Sequence, residues 1–210
     1  MTDKIAITPG SGADVNTDDC GAAGHVQGMK LCYSADGVAT YVTADATGLQ
    51  VNPGAQTFRI EVNSAGLTTA STSYTAGDQE GTEMTFANAA RISGQGGILN
   101  SAVLLDKSKI LSATPAEIDL LLFTSSITGA TDNAAFDDSD TDMGEYVGRV
   151  KFYLGDWMVQ SSNAINERHG LGIAYACDAT SLFGIFVGRT NHTFYTAVTD
   201  LRVALTVIRD

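Results

Sequence analysis

Basic side chains are scarce in this chain. It carries 12 Lys and Arg against 24 Asp and Glu in 210 residues, a formal net charge of -12. Phosphate recognition needs clustered Lys and Arg, and these twelve are scattered, which argues against nucleic acid as a partner and against an anionic membrane surface. The bland reading of the charge is solubility. Cysteine is also sparse. Three residues, Cys20, Cys32 and Cys177, are an odd number without a dense framework, so they read as free thiols of a protein made in a reducing cytoplasm rather than as a disulfide scaffold. No run approaches membrane-spanning length. The N-terminus lacks a basic start followed by an apolar run, so no secretory signal is expected. Proline is limited to 3 residues and tryptophan to 1, and no long amphipathic helical pattern is present.

Hydrophobic residues make up 44% of the chain, enough for a packed core. The largest aliphatic concentration lies between Arg91 and Phe123. Ile98 to Leu105 and Ile118 to Phe123 are apolar runs too short for ordinary helices and bounded by Gly, Ser, Asp or Pro, so they read as buried central strands. Thr57 to Val62 alternates with period two, placing Phe58, Ile60 and Val62 on one face. Glu83 to Phe86, Tyr146 to Tyr153, Trp157 to Val159, Gly172 to Cys177 and Leu182 to Val187 read as further strands. In the closing strand, Leu201, Val203, Leu205 and Val207 face one way. One local conflict stands at Thr114-Pro115-Ala116-Glu117, which fits a capped helix start; at most one turn is expected before the strand at Ile118. Short strands at regular spacing predict an all-β fold, a jelly-roll β-sandwich, over residues 56–210. Residues 1–55 hold few large apolar side chains and read as an extended N-terminal arm. It ends in a small β-hairpin around Asp36-Gly37, followed by the linker Asn52-Pro53-Gly54-Ala55.

Chemistry-bearing patterns are weak. Asp138-Ser139-Asp140-Thr141-Asp142 opens like a calcium loop, with carboxylates at alternate positions. The match fails at Met143, where the sharp-turn Gly belongs, and at Arg149, where the closing Glu belongs. Asp138, Asp140 and Asp142 are therefore only weak metal candidates beside the reading as an acidic surface loop or a short helix with acids in its first turn. The spacing of Cys20, His25 and Cys32 is not that of a zinc site. Gly94-Gln95-Gly96-Gly97 lacks the Lys-Ser/Thr of a phosphate loop and reads as a tight turn beside a strand. No Gly-x-Ser-x-Gly elbow supports a triad. Trp157 and Tyr195, if exposed, are candidates for stacking on sugars, although a lone Trp in a sandwich is more often core. No cofactor is expected.

Several runs resemble a family of tailed-bacteriophage virion structural proteins: Tyr74-Thr75-Ala76-Gly77-Asp78; Thr85-Phe86-Ala87-Asn88-Ala89-Ala90-Arg91-Ile92-Ser93-Gly94-Gln95-Gly96-Gly97; Asp119-Leu120-Leu121-Leu122-Phe123; Asp132-Asn133-Ala134-Ala135-Phe136; Ser139-Asp140-Thr141-Asp142-Met143; and the strand at Asp200-Leu201. The resemblance spans residues 56–210, with a less specific echo at His25-Val26-Gln27-Gly28-Met29-Lys30-Leu31. It implies a non-enzymatic capsid decoration (cement) protein with a jelly-roll domain. Such a protein assembles in the host bacterial cytoplasm and sits on the outer capsid surface, bound to the major capsid protein. Three-fold positions on icosahedral shells make a homotrimer the natural order. The arm is the candidate anchor, with His25, Gln27, Lys30, Tyr33 and Tyr41 as candidate contacts. Two other classes stay open: a tail-associated receptor- or carbohydrate-binding jelly-roll module, and a hydrolase, which needs convergent carboxylates or a triad in one cleft.

Overall fold

The computed structural model describes residues 56–69, 73–108, 110–129, 131–137, 139–193 and 195–209, together with four short strands nearer the N-terminus. The chain divides into two compact units, Met1–Asn52 and Pro53–Asp210. In the first, β1 (Asp18–Asp19) pairs antiparallel with β2 (His25–Val26), and β3 (Cys32–Tyr33) with β4 (Thr40–Tyr41). Cys32 lies opposite Tyr41 and Tyr33 opposite Thr40. The residues between these strands, including Asp36-Gly37, lie outside the described residues.

The second unit holds β5 (Gln56–Asn63), β6 (Gln79–Phe86), β7 (Gly96–Asp106), β8 (Ile118–Phe123), β9 (Tyr146–Phe152), β10 (Met158–Val159), β11 (Ala164–Ala176), β12 (Leu182–Gly188) and β13 (Leu201–Arg209). They form a five-stranded sheet in the order β10-β11-β7-β13-β5 and a four-stranded sheet in the order β6-β12-β8-β9. Every strand pair in the two sheets is antiparallel. With the two-residue β10 set aside, the eight long strands counted along the chain run 1-8-3-6 in one sheet and 2-7-4-5 in the other, so successive strands change sheet except β8 and β9, which pair with each other. This is the jelly-roll order, so the expected all-β sandwich is the fold observed.

Alternation in the sequence follows from which faces are covered. β5 and β13 bury mainly one face. Ile60, Val203, Leu205 and Val207 enter the main core, with Phe58 and Val62 packed against it, while Arg59 and Glu61 point out. β8 is buried at every position. Leu120 and Leu122 join the main core between the sheets, alongside Phe86, Val150, Phe152 and Phe186. Leu121 and Phe123 point the other way, into a second cluster with Ile127, Ile185 and Val187, against which Phe136 and Phe183 pack. The connection from β8 to β9 supplies the roof of this cluster. It runs back beside β6, donating from Asn133 N to Gln79 O (2.9 Å) and from Phe136 N to Gly77 O (2.8 Å), and accepting from Gln79 N at Ala134 O (2.8 Å). An apolar outer face and an exposed sheet edge are thus covered by one segment.

Three boundaries differ from the sequence reading. The Thr114-Pro115 signal stops a helix instead of starting one. Helix α1 (Ile110–Ala113) ends just before it, because the residue preceding a proline is driven out of the α region, and Thr114 closes the turn by donating from its N–H to Ile110 O at 2.8 Å. β11 begins at Ala164, well before Gly172. Glu167 and His169 are exposed while Asn166 is buried, and a register shift between His169 and Ile173 absorbs the glycines as a bulge. β6 begins at Gln79 rather than Glu83, because Gln79 and Glu80 are polar yet buried.

Leu120→Ala and Phe123→Ala, one on each buried face of β8, should each lower the unfolding free energy by about 2–5 kcal/mol in denaturant titrations. A loss in Leu120→Ala with none in Phe123→Ala would show that the roof over the outer face contributes no packing.

Candidate functional site

The densest array of polar side chains lies inside the jelly roll. Glu80 projects from β6 and is fully buried, as are Tyr74 in the β5–β6 loop and Tyr195 in the β12–β13 loop; His192, in that same loop, is nearly so. Tyr195 Oη donates to Glu80 Oε2 at 2.6 Å, and His192 Nε2 lies 3.6 Å from the same oxygen. The His192 ring stacks on Tyr74, with centroids 5.2 Å apart. Tyr74 Oη donates in turn to Asp132 Oδ1 at 2.8 Å. Asp132 also accepts from Gly81 N and from the Thr68 hydroxyl. The array therefore ties β6, both loops and the β8–β9 connection together. Gly81 is required where it stands. Its φ is +79°, and a Cβ there would meet Ser64 Oγ at 2.2 Å.

Electrostatics follow from burial. Desolvation alone would pull the His192 pKa down. The Glu80 carboxylate, through hydrogen bonding and charge, outweighs it with help from the Thr190 carbonyl and the Asp106 charge, and the imidazole ends above its ordinary value. Burial, then the Glu80 charge, pushes the Tyr195 phenol well above its usual range. Tyr74 is raised by burial and by its bond to Asp132. A carboxylate, imidazole and phenol in sequence can relay a proton in an open cleft. Here Glu80 and His192 side chains are sealed from solvent, so the array acts as a clamp.

Other buried carboxylates fasten loops in the same way. Asp106 accepts from Ser108 N and Leu111 N, both at 2.8 Å. Asp200 accepts from Thr196 N (3.0 Å) and Ala197 N (2.7 Å). Asp78 accepts from Thr75 N at 2.7 Å. Asp119 in β8 is paired with Arg189 at 2.8 Å and Arg149 at 3.3 Å.

The residues singled out from sequence fall elsewhere. His25 lies in β2, Tyr33 in β3 and Tyr41 in β4; Gln27, Lys30 and Asp138 lie outside the described residues. Asp140 and Asp142 sit in a single helical turn, α2 (Asp140–Met143), capped by Ser139, whose hydroxyl accepts from Asp142 N at 3.1 Å. Among the described residues no three His, Cys, Asp or Glu side chains are grouped to hold a metal, and no helix is long and apolar enough to cross a membrane. Gly96 begins β7 where a Cβ would meet Tyr175 O at 1.9 Å, so the Gly-rich run serves close strand approach. The two aromatics considered for sugar stacking are not free to do so. Tyr195 is core, and Trp157 is half-buried with Nε1 donating to Ala116 O at 2.8 Å. Burial, aided by the Asp178 charge, raises the Cys177 thiol to about 11.

The strand order defines the class: an eight-stranded antiparallel jelly roll. No protein-family model matches the chain, and no curated protein matches it. Among solved structures, one from Desmodium yellow mottle tymovirus aligns with 88% of this chain and 96% of that chain, at 10% identity and a TM-score of 0.25. A superposition that loose leaves the class resting on the strand order.

Tyr195→Phe should cost about 1–3 kcal/mol, because it removes a donor from a buried carboxylate. The His192 pKa is raised in the fold, so its stabilisation is complete below about pH 6.5, the ordinary histidine value, and is lost as pH rises through the folded-state value. Melting temperatures measured from mildly acidic to alkaline pH should fall more steeply for the native chain than for His192→Gln; parallel curves would contradict the clamp. With Cys20 and Cys32 replaced by Ser, Cys177 should resist alkylation at mildly alkaline pH until denaturant is added.

Proposed function

We propose that this chain is a non-enzymatic structural protein of a bacteriophage virion, a decoration protein that binds the outer surface of the head. The carrying observation is the use made of its polar chemistry. The carboxylates of Asp78, Glu80, Asp106, Asp119, Asp132 and Asp200 face backbone N–H groups, hydroxyls or basic side chains of the fold itself. A jelly roll stiffened in this way suits a load-bearing role better than turnover. The resemblance of residues 56–210 to tailed-phage virion proteins supplies the biological setting. The net charge of -12 favours a position outside packaged DNA, which repels an acidic chain.

In this reading the major capsid protein is the partner, and residues 1–55 are a main anchor. His25, Gln27, Lys30, Tyr33 and Tyr41 are the contact candidates. Many copies on a symmetric shell gain avidity from individually weak contacts. A homotrimer matches the three-fold positions of the shell, and binding only to the assembled shell stabilises it by mass action.

Deleting residues 1–50 should leave a cooperative thermal transition and a β-type circular dichroism spectrum while abolishing co-sedimentation with heads. Full occupancy by the truncated protein would remove the arm as anchor, and recovery of the intact protein only with tails would remove the head assignment.

A further inference from the structure

The two sheets treat their outer faces differently. On the four-stranded sheet the outward Leu121, Phe123, Ile185 and Val187 are roofed by the chain's own β8–β9 connection. The five-stranded sheet also presents apolar residues outward. Ile165 and Leu105 lie opposite each other in one cross-strand row, and Val103 and Ala204 in the next. Together they floor a groove of about 190 Å³ walled by Arg59, Glu61 and Arg202. The row of Ile165 and Leu105 continues to Met158 on the edge strand β10, which is 46% exposed. Ile98, farther along the face and opposite Ile208, is 45% exposed. Among the described residues of the second unit, no segment roofs this face as the connection roofs the other. Contiguous apolar surface on a soluble domain marks an interaction site.

Charge selects the occupant. Copies of a chain with net charge -12 repel one another over most of their surface. This face is balanced. Its outward charges are Arg59 and Arg202, both paired with Glu61, and Glu167, which lies beside His169. A strongly basic partner gains nothing here, because the acidic excess lies elsewhere. An equally acidic copy meets no net repulsion here and gains apolar contact. We propose that the outer face of the five-stranded sheet, from the β10 edge across the Val103–Leu105 groove, is the surface through which this chain associates with a second copy of itself. The inference deepens the proposed homo-oligomeric shell protein and rests on that reading for its biological setting.

The test is sedimentation equilibrium of the purified full chain, without heads, at micromolar concentration and at low and high salt. The native chain should have a weight-average mass that is a multiple of 21.9 kDa, with association maintained or strengthened by salt, as screening of like charges predicts. Leu105→Glu in the groove and Met158→Glu at its rim should each return the mass to 21.9 kDa, with circular dichroism unchanged. Met158→Glu, at an exposed site, keeps the test valid if Leu105→Glu fails to fold. Ile92→Glu, at an equally apolar but separate position in the β6–β7 loop, 66% exposed, should leave the mass of the assembly unchanged. A native chain that is monomeric at these concentrations would overturn the proposal, as would an assembly that survives Met158→Glu and a folded Leu105→Glu. With no heads present, either result overturns the self-association face and leaves the head-binding reading standing.

Discussion

The structure depends on burying β8 on both of its faces. A strand whose six positions are all buried needs a second layer on each side. The five-stranded sheet supplies one, through the main core shared with Leu120 and Leu122. The other has to be built from the chain itself, and this is why the β8–β9 connection is long and returns over the sheet to bring Ile127 and Phe136 onto Leu121 and Phe123. The same connection lies beside the exposed edge of β6, so closing the outer cluster and protecting the edge are one structural act. Burial of the central strand thus determines where the longest loop goes, and the loop determines which face of the molecule is left open.

A roof of this kind has to be fastened, and carboxylates do the fastening. Asp132, inside the connection, accepts from Tyr74 and Gly81. Tyr74 stacks on His192, and His192 shares Glu80 with Tyr195. Buried charge is costly to desolvate and strengthens a fold only when its hydrogen bonds are completed. Here donors from several segments complete Asp132, while Glu80 takes its partners on Oε2 and keeps Oε1 buried without one, so loosening any member of the array adds to a desolvation penalty already present. The acidic composition therefore has a second role besides solubility, as an internal set of acceptors for loop ends.

Legibility in the sequence follows the number of covered faces. β5 and β13 were readable by period two because one face meets solvent. β8 and the apolar part of β7 were readable as short continuous runs bounded by turn residues, although their assignment to different sheets was not, since run length carries no information about layers. The early half of β11 and the start of β6 were hidden for opposite reasons: outward polar residues and a bulge in the first, buried Gln79 and Glu80 in the second. The Glu80–His192–Tyr195 clamp leaves no local trace. His192 and Tyr195 share one loop, but Glu80 stands 115 residues from Tyr195 in the chain, and only folding brings it to them. The calcium-like pattern covers Asp138, Asp140 and Asp142, whereas the acid of the β8–β9 connection that ties the most segments together is Asp132, which lies outside that pattern.

The central claim is that this jelly roll is a structural element on the outside of a phage head. Electron microscopy of intact particles tests it most directly. The account predicts density with the size and two-sheet outline of the residue 56–210 domain, standing on the outer head surface at positions related by the shell's symmetry. Density for this domain confined to the tail or to the interior of the head, with a bare outer surface, would contradict it.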